Sequence, residues 1–246
     1  MTDVCDICGF PVSCGNLDSH LKAITGLAEQ GRGVWLLTLN TEMISRGFRD
    51  PAYWRLIKQA DVITADGMPL VWASRMKCPK TPVPGRTTGV DLVDAMLRQE
   101  RVLRFAVIGG VDPYQTIQLY GQAALGACTF VFDGKVDLSD EQLAFFCQEL
   151  TRHQAQVVFI ALGVPKQDDL ALKLRQRMPH LVLLGIGGTF EILGPAGRRA
   201  PQWMQRVGLE WLYRLLHEPR RLWRRYLINY PPGIWMLIKD CIVAGK

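Results

Sequence analysis

Residues 36–68 read LLTLNTEMISRGFRDPAYWRLIKQADVITADGM. Two short apolar runs flank a helical segment, and each run ends in polar residues. Thr38, Asn40 and Glu42 close the first, and Asp66 and Gly67 close the second. Parallel strands with their polar ends together form a crevice, the usual ligand site of an open α/β sheet.

The same alternation continues on both sides. Upstream, residues 4–14 read as two short strands around Gly9-Phe10-Pro11, and residues 17–30 as a helix capped by Asn16. Asp50 and Pro51 form an N-cap and first-turn pair. Residues 77–88, KCPKTPVPGRTT, carry three prolines and a glycine, so they read as a loop long enough to reach over a site. Downstream, strands at 104–108, 128–132, 156–162 and 181–185 alternate with helices at 113–124, 141–152 and 170–177. Apolar runs outnumber clean alternations, which is the pattern of parallel strands covered on both faces. The expected fold is α/β: a Rossmann-like, mostly parallel sheet with helices on both faces and a helical, arginine-rich C-terminal appendage. Residues 1–197 form the expected catalytic body and residues 198–246 the appendage, with Pro231-Pro232 expected to break its helix.

Charge divides the chain at the same place. The net charge is +6, yet from Arg198 onward there are ten Lys/Arg against three Asp/Glu, so the first 197 residues are close to neutral. The N-terminus has Asp3 and Asp6 and no basic stretch, which argues against a signal peptide. No run of 18 apolar residues is present. Seven scattered cysteines read as reduced, mostly buried thiols, and Cys5-x-x-Cys8 lacks the further ligands that zinc requires. The four histidines are dispersed and there is no DxD, so no metal site is expected.

Four strand-end turns carry candidate chemistry. Gly109-Gly110 resembles a phosphate-binding turn, but the third glycine of a dinucleotide fingerprint is missing. That absence counts against the alternative of an NAD(P)-dependent oxidoreductase. At Gly163-Val164-Pro165-Lys166-Gln167, Lys166 suits a phosphate and Gln167 can read a base or sugar. The turn with Gly187 and Gly188 offers backbone donors to a phosphorylated ligand. Asp66 has three readings: general base, metal ligand, or N-cap of the helix that follows. The tail arginines suit an anionic membrane surface, flanked as they are by tryptophans, or a diphosphate folded under them. A non-enzymatic nucleic-acid module is the remaining alternative, with no recognised motif behind it.

Several ordered motifs are similar to the bacterial WecG/TagA/CpsF glycosyltransferases. They are Thr38-Leu39-Asn40-Thr41-Glu42, Ala65-Asp66-Gly67-Met68-Pro69-Leu70, Arg86-Thr87-Thr88-Gly89-Val90-Asp91-Leu92, Gly163-Val164-Pro165-Lys166-Gln167, Gly187-Gly188-Thr189-Phe190, and 208–214 (GLEWLYR) followed by His217-Glu218-Pro219-Arg220-Arg221 and Arg224-Arg225. The resemblance implies an inverting, metal-independent glycosyltransferase with no cofactor. It would move a hexose or N-acetylhexosamine from a nucleotide diphosphate sugar, UDP-linked, to a polyprenyl-diphosphate-linked saccharide in exopolysaccharide, capsule or cell-wall synthesis. It implies Asp66 as base with Thr38 beside it. Asn40, Arg86, Gly109, Gly110, Lys166, Gln167, Gly187 and Gly188 would bind substrate, and Arg214, Arg221 and Arg224 would steady the leaving diphosphate. The implied location is cytoplasmic, peripheral on the inner face of the plasma membrane, beside other polysaccharide-assembly enzymes and without nucleic acid. Two departures stand out: Asp168 where the family often has Glu, and Glu191 where it often has Asp.

Overall fold

The computed structural model describes residues 3–197 and 199–244. Arg198 and Lys246, two of the ten basic residues of the C-terminal segment, lie outside them. The chain runs β1 (Val4–Ile7), β2 (Phe10–Ser13), α1 (Leu17–Glu29), β3 (Val34–Leu39), α2 (Thr41–Arg49), α3 (Pro51–Ile57), β4 (Val62–Ala65), α4 (Met68–Lys77) and α5 (Gly89–Leu97). It continues with β5 (Phe105–Gly109), α6 (Pro113–Gln118), α7 (Gln122–Ala127), β6 (Cys128–Phe132), α8 (Asp140–Arg152), β7 (Val157–Ala161), α9 (Lys166–Arg177) and β8 (Val182–Gly185). Five helices close it: α10 (Thr189–Leu193), α11 (Gln202–Arg206), α12 (Glu210–His217), α13 (Pro219–Arg224) and α14 (Tyr230–Ala244).

The eight strands of the described residues join one sheet in the order β1-β2-β4-β3-β8-β7-β5-β6, parallel except for the β1–β2 hairpin. Inward-facing residues alternate between two cores. Trp35, Leu37 and Leu39 of β3 pack on one face with α2, α3, α4, α8, α9 and Leu237 of α14. Val34 and Leu36 pack on the other with α1, α5, α6, α7 and Phe190 of α10. This is the α/β architecture with helices on both faces that the apolar runs predict.

Local signals explain most boundaries. Asn16, Asn40 and Asp50 cap α1, α2 and α3 through side-chain oxygens that accept from Ser19, Met43, and Ala52 with Tyr53. Three expectations need correction. The helix expected over 113–124 is two helices, because Gly121 takes a positive φ of 87° between α6 and α7. Pro231 and Pro232 do not break the last helix. Arg225–Asn229 form a π turn closed by the Tyr230 N–H on the Arg225 carbonyl, and the prolines enter the first turn of α14, where no N–H is required. The seven thiols are not all reduced, since Cys5 and Cys78 form a disulfide. Antiparallel pairing of β1 and β2 lays Cys5 beside the end of α4, a proximity across 73 residues that spacing could not reveal.

The loop after α4 is tied down. The Val83 N–H donates to Ser74 Oγ, Thr87 pairs with the Ala65 carbonyl, and Thr64 Oγ1 donates to the Thr87 carbonyl. His20 bridges Thr87 and Ser13 at 3.2 and 2.8 Å, and burial lowers its pKa. Among the described residues, no helix is long and apolar enough to cross a membrane.

Candidate active site

Register aligns the strand ends that matter. Leu39 pairs with Ala65, so Asn40 and Asp66 emerge side by side, and the Asp66 N–H donates to the Leu39 carbonyl. From β3 the chain moves outward to β4, while the later strands fill in the other side until β8 lies against β3. The crevice opens at this divergence, as expected for an open parallel sheet. It is a cavity of about 740 Å³, lined at its base by Thr38, Asn40, Asp66, Arg86, Thr88, Gln167, Gly187 and Gly188. Residues of α12, the π turn and α14 form its roof, including Glu210, Arg214, Arg225, Tyr226 and Tyr230.

Asp66 sits in this cavity with its carboxyl pKa pushed up to about 7. Loss of water is the largest cause. Arg86 and Arg225 pull it down, whereas Glu210 and Asp91 push it further up. Helix capping does not occupy the carboxylate: Gly67 is the N-cap of α4, at φ 124°, and no side chain caps that end. A half-protonated carboxyl near neutral pH is suited to accept a proton.

Two ion pairs join roof to base. Arg86 binds Glu210 and donates to Gln205 Oε1 at 2.6 Å. Arg225 Nε lies 2.9 Å from Glu42 Oε2, and its guanidinium stands over the rings of Tyr226 and Tyr230. Arg214 also lines the cavity. Three guanidinium groups therefore converge on one pocket, each supplied by a different part of the chain.

The remaining expected residues divide. Gln167 lines the cavity but is nearly buried, and its Oε1 accepts from the Gly187 N–H at 2.9 Å, which fixes the turn after β8. Lys166 begins α9 and does not line the cavity. Gly109 and Gly110 also lie outside it. A Cβ on Gly109 would stand 2.8 Å from the Ala161 carbonyl oxygen and one on Gly110 3.2 Å from the Phe190 ring, so these glycines permit close packing. Arg221 pairs with Glu218 and Arg224 stacks over Trp223, both away from the cavity. Arg225 rather than Arg224 lines the cavity, together with Glu42 of the first strand end and with Tyr226 and Tyr230, which no motif marks as pocket residues. The Arg224-Arg225 pair is a visible signal, and Arg225 is the member at the cavity. The two departures face elsewhere: Asp168 is buried, accepts from the Tyr53 hydroxyl at 2.7 Å, and has its pKa raised to about 7 by burial. Neither Asp168 nor Glu191 lines the cavity. Among the described residues, no three His, Cys, Asp or Glu side chains cluster as a metal site.

Comparison with known proteins places these features. The sequence model described as the glycosyl transferase WecG/TagA/CpsF family matches residues 5–245. The chain is 30% identical over 239 residues to the N-acetylglucosaminyldiphosphoundecaprenol N-acetyl-beta-D-mannosaminyltransferase of Bacillus spizizenii, covering 93% of this chain and 87% of that protein. It is 28% identical over 226 residues to the protein of the same name from Bacillus subtilis, covering 86% and 82%.

Proposed function

As this chain belongs to the glycosyl transferase WecG/TagA/CpsF family, we propose that it transfers an N-acetylhexosamine, with N-acetylmannosamine the leading candidate, from a nucleotide diphosphate sugar to a saccharide carried on a polyprenyl diphosphate. The names of the two Bacillus relatives support the donor sugar and the lipid-linked acceptor. The observation that carries the reading is Asp66, a carboxyl with raised pKa in a cavity roofed by arginines.

In the proposed reaction the Asp66 carboxylate accepts the proton of the acceptor hydroxyl. That oxygen bonds to the anomeric carbon from the face opposite the diphosphate. The bond from carbon to diphosphate oxygen breaks, the nucleoside diphosphate leaves with the electron pair, and the configuration inverts. Arg214, Arg225 and Arg86 stabilise the departing charge, the role a divalent cation fills elsewhere. Thr38, Asn40, Gly187 and Gly188 position the sugars from the base of the cavity. Residues 1–197 act as the catalytic body and residues 198–246 close it and contact an anionic membrane surface, held there by Arg220, Arg221 and Arg224 with the exposed Trp211, Trp223 and Leu216.

The test is turnover of UDP-N-acetylmannosamine with N-acetylglucosamine on a polyprenyl diphosphate. Asp66→Asn is expected to lower kcat by about 10² to 10⁴, with the fold preserved by circular dichroism. Near-normal turnover would remove Asp66 as base. Removing residues 198–246 is expected to abolish both transfer and vesicle association.

A further inference from the structure

The cavity has an apolar side that the sugar chemistry does not use. Helix α4 starts beside Asp66 and contributes Met68, Pro69 and Trp72 to the cavity wall. Helix α14 contributes Pro231, Ile234, Trp235 and Ile238. The two helices run side by side in the same direction. Tyr230, at the start of α14, is close enough to Asp66 to feel its charge. At their far ends, Lys77 Nζ lies 2.7 Å from Asp240 Oδ2, and Cys241 Sγ is 3.9 Å from the Ala73 carbonyl.

Both apolar stripes continue outward beyond the cavity. On α4, Met76 follows Trp72 at the four-residue spacing that keeps side chains on one helix face. On α14, Ile242 follows Ile238 in the same way. These are exposed large apolar side chains: Trp72 46%, Met76 69%, Trp235 67% and Ile242 59%. Ten residues of α4 span about 15 Å, so the two stripes border an apolar path of that length leading from Asp66 to the surface. Exposed apolar surface of this extent marks a binding site.

We propose that this path between α4 and α14 is the exit channel for the polyprenyl chain of the acceptor, holding the isoprene units next to the diphosphate. The assignment rests on the lipid-linked acceptor proposed above. Its independent ground is continuity: a chain tethered through diphosphate to a sugar at Asp66 must leave the cavity, and this wall lets it leave without exposure to water. A surface that only rested on lipid would not need to converge on the carboxylate. Binding therefore combines a diphosphate held by arginines with an apolar chain held by Trp72 and Trp235.

The test is calorimetric titration of the full chain with inorganic diphosphate, geranyl diphosphate and geranylgeranyl diphosphate, in the absence of any sugar donor. Affinity is expected to rise about tenfold or more from geranyl to geranylgeranyl diphosphate. Trp72→Ser and the double variant Met76→Ser/Ile242→Ser are expected to lose that rise while binding inorganic diphosphate as the wild type does. Leu119→Ser, an equally exposed apolar residue elsewhere, is expected to retain it. The substituted side chains are solvent-exposed, and thermal melts check that the variants stay folded. No gain with chain length in the wild type would overturn the channel. So would a gain that persists in the variants while their association with anionic phospholipid vesicles is lost, which would assign the face to the bilayer. Because no transfer is measured, length-dependent binding with no sugar transfer would count against the proposed reaction and leave the channel standing.

Discussion

Asp66 pairs a cost in stability with the proton-accepting role proposed for it. Its carboxyl is held near pKa 7 by burial, against about 3.9 in an unfolded chain. The folded state therefore binds the proton more tightly. The charged form is disfavoured only in the folded protein, so stability falls as pH rises from about 4 to about 7, by up to ~4 kcal/mol. Asp66→Asn is thus expected to melt at a higher temperature than wild type at pH 8, with the difference vanishing near pH 4. Equal melting temperatures at pH 8 would show that the carboxylate is solvated. The same titration sets activity with the opposite sign. As the proposed base, Asp66 works when ionised, so kcat/KM should climb about tenfold per pH unit below 7 and level off above it. A flat profile from pH 5 to 8 would contradict the raised pKa.

At the scale of elements, the placing of the last helix is decisive. Gly233 of α14 lies so close to α2 that a Cβ there would stand 2.3 Å from the Thr41 carbonyl oxygen and 2.9 Å from Thr41 Cγ2. Gly233→Ala is expected to push α14 off α2 at a cost of about 1–3 kcal/mol. Transfer should fall as well, because the Glu42–Arg225 pair crosses the same interface. Thermal denaturation and turnover measured together test this, and unchanged values in both would show that α14 yields freely. The π turn matters for a related reason. It precedes Pro231-Pro232, which have no N–H to donate, and its first residue, Arg225, faces the cavity whereas Arg224 does not.

For the whole molecule, the disulfide ties the N-terminal hairpin to the C-terminal end of α4. Denatured without reductant, the protein should titrate five free thiols rather than seven. Cys5→Ser should cost about 2–4 kcal/mol of stability. Seven titrating thiols would show that the bond does not form in solution.

Local sequence is enough for the α/β class and for the strand at residues 128–132. It is also enough for the capped starts of α1 and α3, because periodicity, turn residues and caps act over a few neighbours. It brought Asn40 and Asp66 to adjacent strand ends for the same reason, since one crossover joins them. The tertiary structure decided what depends on distant contacts. The Cys5–Cys78 bond, the turning of Arg225 onto Glu42, the packing role of Gly109 and Gly110, and the alignment of α4 with α14 all join segments far apart in the chain. Local patterning carries no term for such pairings. They follow from how the packed sheet orders its strands and where the final helix comes to rest.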